Sequence, residues 1–173
     1  MTRKLHIGGK VRVADWEVLN IQPGPCVDHV GDAKDLSQFP DGTFDELYAS
    51  HVLEHFDYNG PLQATLKEWY RVLKPEGKLL VSVPDMDVLC QLFRKRKELD
   101  LQGRFQIMRM MFGGHMDPYD YHCVGFDFDI LNAFLNEAKF RNIRPVETLD
   151  VFQDTSLLRV GGALISLNVV AVK

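Results

Sequence analysis

The run Phe44-Asp45-Glu46-Leu47-Tyr48-Ala49-Ser50-His51-Val52-Leu53-Glu54-His55-Phe56 constrains this 173-residue chain more than any other stretch. Leu47-Tyr48-Ala49, with Phe44 before it and Val52-Leu53 after it, reads as a short strand buried on both faces. A parallel strand covered on either side shows a continuous apolar run instead of alternation. The polar tail Ser50-His51…Glu54-His55 then falls at the strand's carboxyl end, the edge where open α/β sheets bind ligands. The same residues also suit a helix N-terminus, with Ser50 as cap and Glu54 in the first turn.

The segments before this run extend the sheet. Leu5-His6-Ile7 predicts a short strand that leads into Gly8-Gly9, a turn where the backbone can come close to a ligand, although any tight turn could use two glycines. Trp16 to Ile21 predicts a second strand, stopped by Gln22-Pro23-Gly24-Pro25. Val27 to Gly31 predicts a third, followed by Asp32-Ala33. Pro40-Asp41-Gly42-Thr43 is a turn into the central strand.

Beyond the run, Asn59-Gly60-Pro61 opens a helix whose apolar face carries Leu62, Leu66, Trp69, Tyr70 and Leu73. Pro75-Glu76-Gly77 is expected to stop it. Leu79 to Val83 is a further buried strand, and Pro84-Asp85 ends it at the same edge. Met86 to Glu98 predicts an amphipathic helix with Arg94-Lys95-Arg96-Lys97 solvated at its end. Phe105 to Phe112 predicts a helix rich in pliable Met side chains. Gly113 to His122 is a loop crowded with His, Tyr and Asp. Asp127 to Ala138 predicts a helix capped by Asp127. Ile143 to Leu149 and Leu164 to Val172 are expected to pair at the end of the sheet.

Strands alternating with helices predict an α/β fold, and the length suits a single domain over 1–173. The net charge of −4 gives no electrostatic case for binding nucleic acid. Cys26, Cys90 and Cys123 are too scattered for a disulfide framework or a zinc site. No apolar run approaches membrane-spanning length. Free thiols and no signal-like segment predict a cytoplasmic protein.

Three segments carry a family resemblance: Phe44 to Phe56, the upstream Gly31-Asp32-Ala33-Lys34-Asp35-Leu36, and the downstream Arg71-Val72-Leu73-Lys74-Pro75-Glu76-Gly77 running on to Asp85. Together they resemble the type-11-like class I S-adenosyl-L-methionine (SAM) dependent methyltransferases over about Leu5 to Asp85. The closing Ile165 to Lys173 is consistent with that family's last strands. The resemblance implies a Rossmann-like sheet, mostly parallel with an antiparallel last strand. It implies SAM as cofactor and methyl transfer to a small-molecule or glycan-precursor acceptor. The alternative is a catalytically degenerate relative that binds a ligand or partner.

By resemblance the cofactor site comprises Ile7, Gly8, Gly9, Asn20, Ile21, Gly31, Asp32, Ala33, Ser50 and His51. Gly8-Gly9 stands at the first glycine motif, which is depleted here, with Lys10 and Val11 where the resemblance implies more glycine. Asn20 occupies the acidic position that accepts from the ribose hydroxyls, so Asn20→Asp is expected to preserve or strengthen binding. Asp32 and the Ala33 amide are implied to read the adenine edge, which a carboxylate beside an N–H complements. Asp32 could equally cap a local turn through Asp35 and Leu36.

Methyl transfer needs alignment of donor and acceptor, and removal of a proton from an O–H or N–H acceptor. Histidine suits that second task. His122 is the first candidate, with His115 and His51 behind it. No metal is assigned, although His51, Glu54 and His55 would share one face of a helix. Methyltransferases similar to this chain use a related E-x-x-E-H arrangement for a divalent cation.

Too few residues separate the first three strands for the usual crossover helices. One sheet face is therefore expected to have reduced helical cover. Either the Met-rich helices fold back over it, or a second copy buries it through Val18, Ile21 and the Met-rich helix, giving a homodimer.

Overall fold

A computed structural model describes residues 2–173. The main strands are β1 (Lys4–Ile7), β2 (Trp16–Asn20), β3 (His29–Val30), β4 (Phe44–Ser50), β5 (Leu73–Pro84) and β6 (Arg141–Val146). A hairpin of β7 (Arg159–Val160) and β8 (Ala163–Leu164) precedes β9 (Ser166–Val172). The helices are α1 (Pro61–Val72), α2 (Met86–Arg94), α3 (Leu101–Phe112) and α4 (Phe128–Glu137). Seven strands form one sheet in the order β3-β2-β1-β4-β5-β9-β6. β9 pairs antiparallel with both β5 and β6, and the remaining pairs are parallel. This is the Rossmann-like arrangement expected, with one antiparallel strand. Among the described residues no helix is long and apolar enough to cross a membrane.

Alternation along the strands sorts the two faces. Leu5, Ile7, Leu19, Leu47, Ala49, Leu79, Val81 and Val169 turn to one side, where they pack with Leu62, Leu66 and Trp69 of α1 and Leu131 and Leu135 of α4. Each of these is at most 1% exposed. At about 1.5–3 kcal/mol per fully buried large side chain, this layer supplies most of the driving force. The Trp69 indole N–H also donates to the Ala33 carbonyl at 2.8 Å, tying α1 to the loop after β3.

The opposite face is built differently. The β1–β2 and β2–β3 connections are residues 8–15 and 21–28, and neither contains a helix. Eight extended residues span up to about 28 Å, enough to return along a short strand without helical winding. Trp16, Tyr48 and Leu80 on this face are covered by Leu149 and Phe152, with Val13 and Val151 at the margin. The Phe152 ring lies 4.0 Å from that of His6, 4.6 Å from Tyr48 and 5.4 Å from Trp16. The Tyr48 hydroxyl donates to the Asp154 carboxylate at 2.8 Å, which fastens the covering segment. Buried in this cluster, the His6 imidazole is pushed down to about 4 and stays neutral.

Two expectations about cover are therefore corrected. Val18 is fully buried within the chain, so it cannot form a surface between copies, although Ile21 stays 38% exposed. The Met-rich α3 packs with α2 around Leu89, Leu92 and Ile107 instead of folding back over the Trp16–Tyr48 cluster. The helical cover is reduced, and a loop carrying one phenylalanine replaces it.

Several boundaries also move. α1 ends at Val72, and β5 starts directly at Leu73, so Pro75-Glu76-Gly77 does not separate the two elements. Instead the strand bulges there, with Glu76 at φ 63° and the register against β4 shifting between Phe44 and Glu46. α3 starts at Leu101, four residues before the expected Phe105, because the Asp100 carboxylate accepts from the Gly103 amide at 2.7 Å. α2 ends at Arg94, and β6 ends at Val146 before the expected Leu149.

Candidate functional site

The carboxyl ends of β1, β2, β3 and β4 converge on an open-sided cavity of about 650 Å³. Gly8, Asn20, Ile21, Gly31, Asp32, Ala33 and His51 line it from the sheet side. His55, Asp117, Tyr119, Tyr121 and Cys123 form the facing wall, and Lys10 and Lys34 stand at its rim. A volume of this size suits a drug-sized or nucleoside-sized ligand.

Gly8 has a positive φ of 77°, and a Cβ there would stand 2.7 Å from a Val52 methyl, so the turn requires glycine. A Cβ on Gly9 would strike the His6 ring at 2.6 Å. Ile7, by contrast, is fully buried in the apolar core. Ser50 turns to the Phe152 face, with its hydroxyl 3.3 Å from that of Thr155. Neither the Ile7 nor the Ser50 side chain reaches the cavity, and Gly9 stands behind its lining. All three expected contacts are corrected on this point.

Asn20 differs from its expected role. Its side-chain amide donates to the Gly8 carbonyl at 3.2 Å and to the Gly9 carbonyl at 2.8 Å. Its amide oxygen accepts from the Gln22 backbone N–H at 2.9 Å. This network fixes which atom is nitrogen and which is oxygen. Asn20 is only 7% exposed and already has partners at every polar end, so it clamps the glycine turn and does not wait for a hydroxyl.

Asp32 takes the local-turn geometry at the cavity wall. One carboxylate oxygen accepts from the Lys34 amide at 2.9 Å, closing a local turn, and the other lies 3.3 Å from the Lys34 ammonium. The side chain stays 38% exposed at the cavity wall, with lone pairs free for a ligand.

The histidines sort into an inner cluster and one outlier. His115 stacks on Tyr121 with ring centroids 4.0 Å apart, and its Nε2 lies 2.9 Å from the Phe112 carbonyl. It does not line the cavity. His122 does not line it either; it sits behind His55, ring centroids 4.9 Å apart. His122, the first candidate, and His115 are therefore set back from the open space, and the structure puts His51 and His55 there.

His51 follows directly on β4 in the left-handed region, at φ 54°. The residues His51, Glu54 and His55 do not share a helix face, since only Leu53–His55 forms a short 3-10 turn. The Ser166 hydroxyl donates to the Thr155 carbonyl at 2.9 Å, so His51 Nε2, 2.9 Å from that hydroxyl, must be the donor there. His51 Nδ1 then presents a lone pair, 3.5 Å from Glu54 Oε1. Glu54 is 1% exposed, and neither of its carboxylate oxygens has a hydrogen-bond partner among the described residues. Burial raises its carboxyl to about 8. Burial chiefly, with neighbouring histidines second, holds His51 and His122 at about 4.

Lys34 carries no signal of its own in the chain as a cavity residue; the local turn that Asp32 closes brings it to the rim.

Residues 12–81 match the model of a family described as a methyltransferase domain. A SAM dependent methyltransferase from Archaeoglobus fulgidus is similar in structure, with a TM-score of 0.61 and 16% identity over 99% of this chain and 86% of that one. A SAM-dependent methyltransferase from Methanosarcina mazei gives 0.62 and 19% over 99% and 92%. Human N-acetylserotonin methyltransferase in complex with SAM gives 0.52 and 16% over 91% of this chain, which spans only 40% of that one. No curated protein matches.

Proposed function

We propose that this chain, which carries a methyltransferase domain in the class I SAM-dependent fold, binds SAM in the 650 Å³ cavity and methylates a small-molecule acceptor at the wall formed by His51, His55 and Tyr121. The domain is a methyltransferase domain, and SAM is the cofactor of its class. The observation that carries the reading is the convergence of Gly8, Asp32 and Ala33 on one cavity at the carboxyl edge of a parallel sheet.

The residues present suit the cofactor. Gly8 keeps the backbone low beside the space, and the exposed Asp32 carboxylate can accept from an exocyclic amine. SAM supplies an electrophilic methyl group when bound. The protein's part is to hold the acceptor in line and exclude water. Tyr121 and Tyr119 provide half-exposed aromatic surface for an acceptor of modest size, including a sugar ring of a glycan precursor. The three free cysteines suit a reducing compartment, and we place the protein in the cytoplasm.

A melting-temperature series tests the reading. A ligand at a hundred times its Kd stabilises the native state by about 2.7 kcal/mol. SAM and S-adenosylhomocysteine should each raise the melting temperature of the wild type, and Asp32→Ala should remove most of that rise while leaving the ligand-free value nearly unchanged. No rise at millimolar concentrations of either compound would favour the degenerate binding module instead.

A further inference from the structure

Helix α3 is held on one side only. Of its 12 residues Ile107 alone is buried, against Leu89 and Leu92 of α2 and Ile165. Leu101, Phe105 and Phe112 turn away from that contact and are 54–76% exposed. At about 100° per residue, these three and the half-buried Met108 fall within roughly 60° of arc, one apolar stripe along the outer side of the helix. Soluble surfaces scatter such side chains singly, and a continuous stripe of large ones marks a place where something docks.

The surroundings of the stripe are cationic. Arg94, Lys95, Arg96 and Lys97 are all exposed in the segment before Leu101. Of these four, Lys95 alone has an acidic partner among the described residues, Glu98 at 3.2 Å. Arg104 and Arg109 fall about 40° beyond the stripe's two edges. Residues 94–112 thus hold these six cationic side chains against Glu98 and Asp100, in a chain whose net charge is −4. A second copy of the chain is a poor occupant, because a two-fold contact through the stripe would set these cations against one another. An anionic phospholipid surface complements both features: the apolar side chains enter the acyl boundary while Lys and Arg stay at the headgroups. We propose that the face of α3 bearing Leu101, Phe105, Met108 and Phe112, with the basic run 94–97 beside it, docks on an anionic membrane surface.

Docking of this kind needs no spanning helix, since the stripe lies in the plane of the interface. A helix that stands out from the molecule also suits lipid better than an acidic protein, because lipid moulds itself to a ridge and a protein partner must offer a matching groove. The stripe ends at Phe112, whose carbonyl accepts from the His122 amide at 3.1 Å, one residue beyond the cavity-lining Tyr121. The docked face therefore adjoins the cavity wall. Membrane binding goes beyond methyl transfer and is independent of it, since it is read on vesicles without SAM.

Sedimentation with vesicles tests the surface. Vesicles of phosphatidylcholine with about one-third phosphatidylglycerol should pellet the wild type at roughly 0.1 M salt, and phosphatidylcholine alone should leave it in solution. Raising the salt to about 0.5 M should release it. Phe105→Gln combined with Phe112→Gln, both at exposed positions, should weaken partition about tenfold. Arg94→Gln, Arg96→Gln and Lys97→Gln together should abolish the preference for phosphatidylglycerol. In Phe105→Trp, emission in excess of the wild type should shift to the blue on adding the anionic vesicles, which attraction at a distance does not produce. A circular-dichroism melt of each variant establishes that it is folded before sedimentation. No partition of the wild type, equal partition of the folded double Phe variant, or a dimer in light scattering that this double variant dissociates would overturn the docking surface.

Discussion

Asn20→Asp should weaken this protein and its cofactor site, by about 2–4 kcal/mol of stability and at least tenfold in SAM affinity. The side-chain amide nitrogen now donates to the Gly8 and Gly9 carbonyls at 3.2 and 2.8 Å. A carboxylate there would set a negative oxygen against two carbonyl oxygens inside a 7% exposed pocket. Asn20→Ala removes the two bonds without adding the repulsion, so it should cost less, about 1–2 kcal/mol. The ranking wild type, then Ala, then Asp is the diagnostic result, read by urea unfolding and by titration with S-adenosylhomocysteine. Position alone predicts the opposite order, because an acidic residue at the end of the second strand would tighten its hold on ribose hydroxyls. An Asp variant that binds more tightly than the wild type would show that Asn20 releases the glycine turn when ligand arrives.

Phe152→Ala should cost about 3–5 kcal/mol, a large fraction of the stability of a domain this size. Phe152 is 5% exposed and closes the sheet face that has lost its helices, touching His6, Trp16 and Tyr48 at once. Helical cover spreads burial over many side chains, whereas here Phe152 and Leu149 carry most of it. Removing the ring opens a cavity against a face that also holds the buried His6 and Tyr48. Urea midpoints should fall accordingly, and a hydrophobic dye should bind the variant more strongly than the wild type. A loss below about 1 kcal/mol would mean that the 147–158 segment is only draped on the face.

The two residues show what was legible in the chain and what was not. The central strand, α1 and the Gly31-Asp32-Ala33 turn announce themselves through continuous apolar runs, helical spacing and turn residues, and the structure places them as expected. Phe152 gives no such signal. It is a single aromatic residue among Asp150, Gln153, Asp154 and Thr155, and its partners lie more than a hundred residues away in sequence. The bond from Tyr48 to Asp154, which holds it in place, spans 106 positions. Asn20 misleads for a different reason: its position in the sheet was readable, but its hydrogen-bond partners were not. The histidines behave likewise. Their proximity to one edge follows from the topology, yet whether a given ring lines the cavity depends on backbone geometry such as the positive φ of His51. Pro75-Glu76-Gly77 looked like a stop and became a bulge, because the flanking strand residues still find β4 partners.

Hydrogen–deuterium exchange with and without S-adenosylhomocysteine tests most directly whether the cavity at the carboxyl edge is the cofactor site. Ligand should slow exchange at the amides of the Gly8-Gly9 turn, of Gly31 to Ala33 and of His51-Val52, and leave the 147–158 segment on the opposite face unchanged. Protection absent from those three turns, or concentrated around Phe152, would contradict the account.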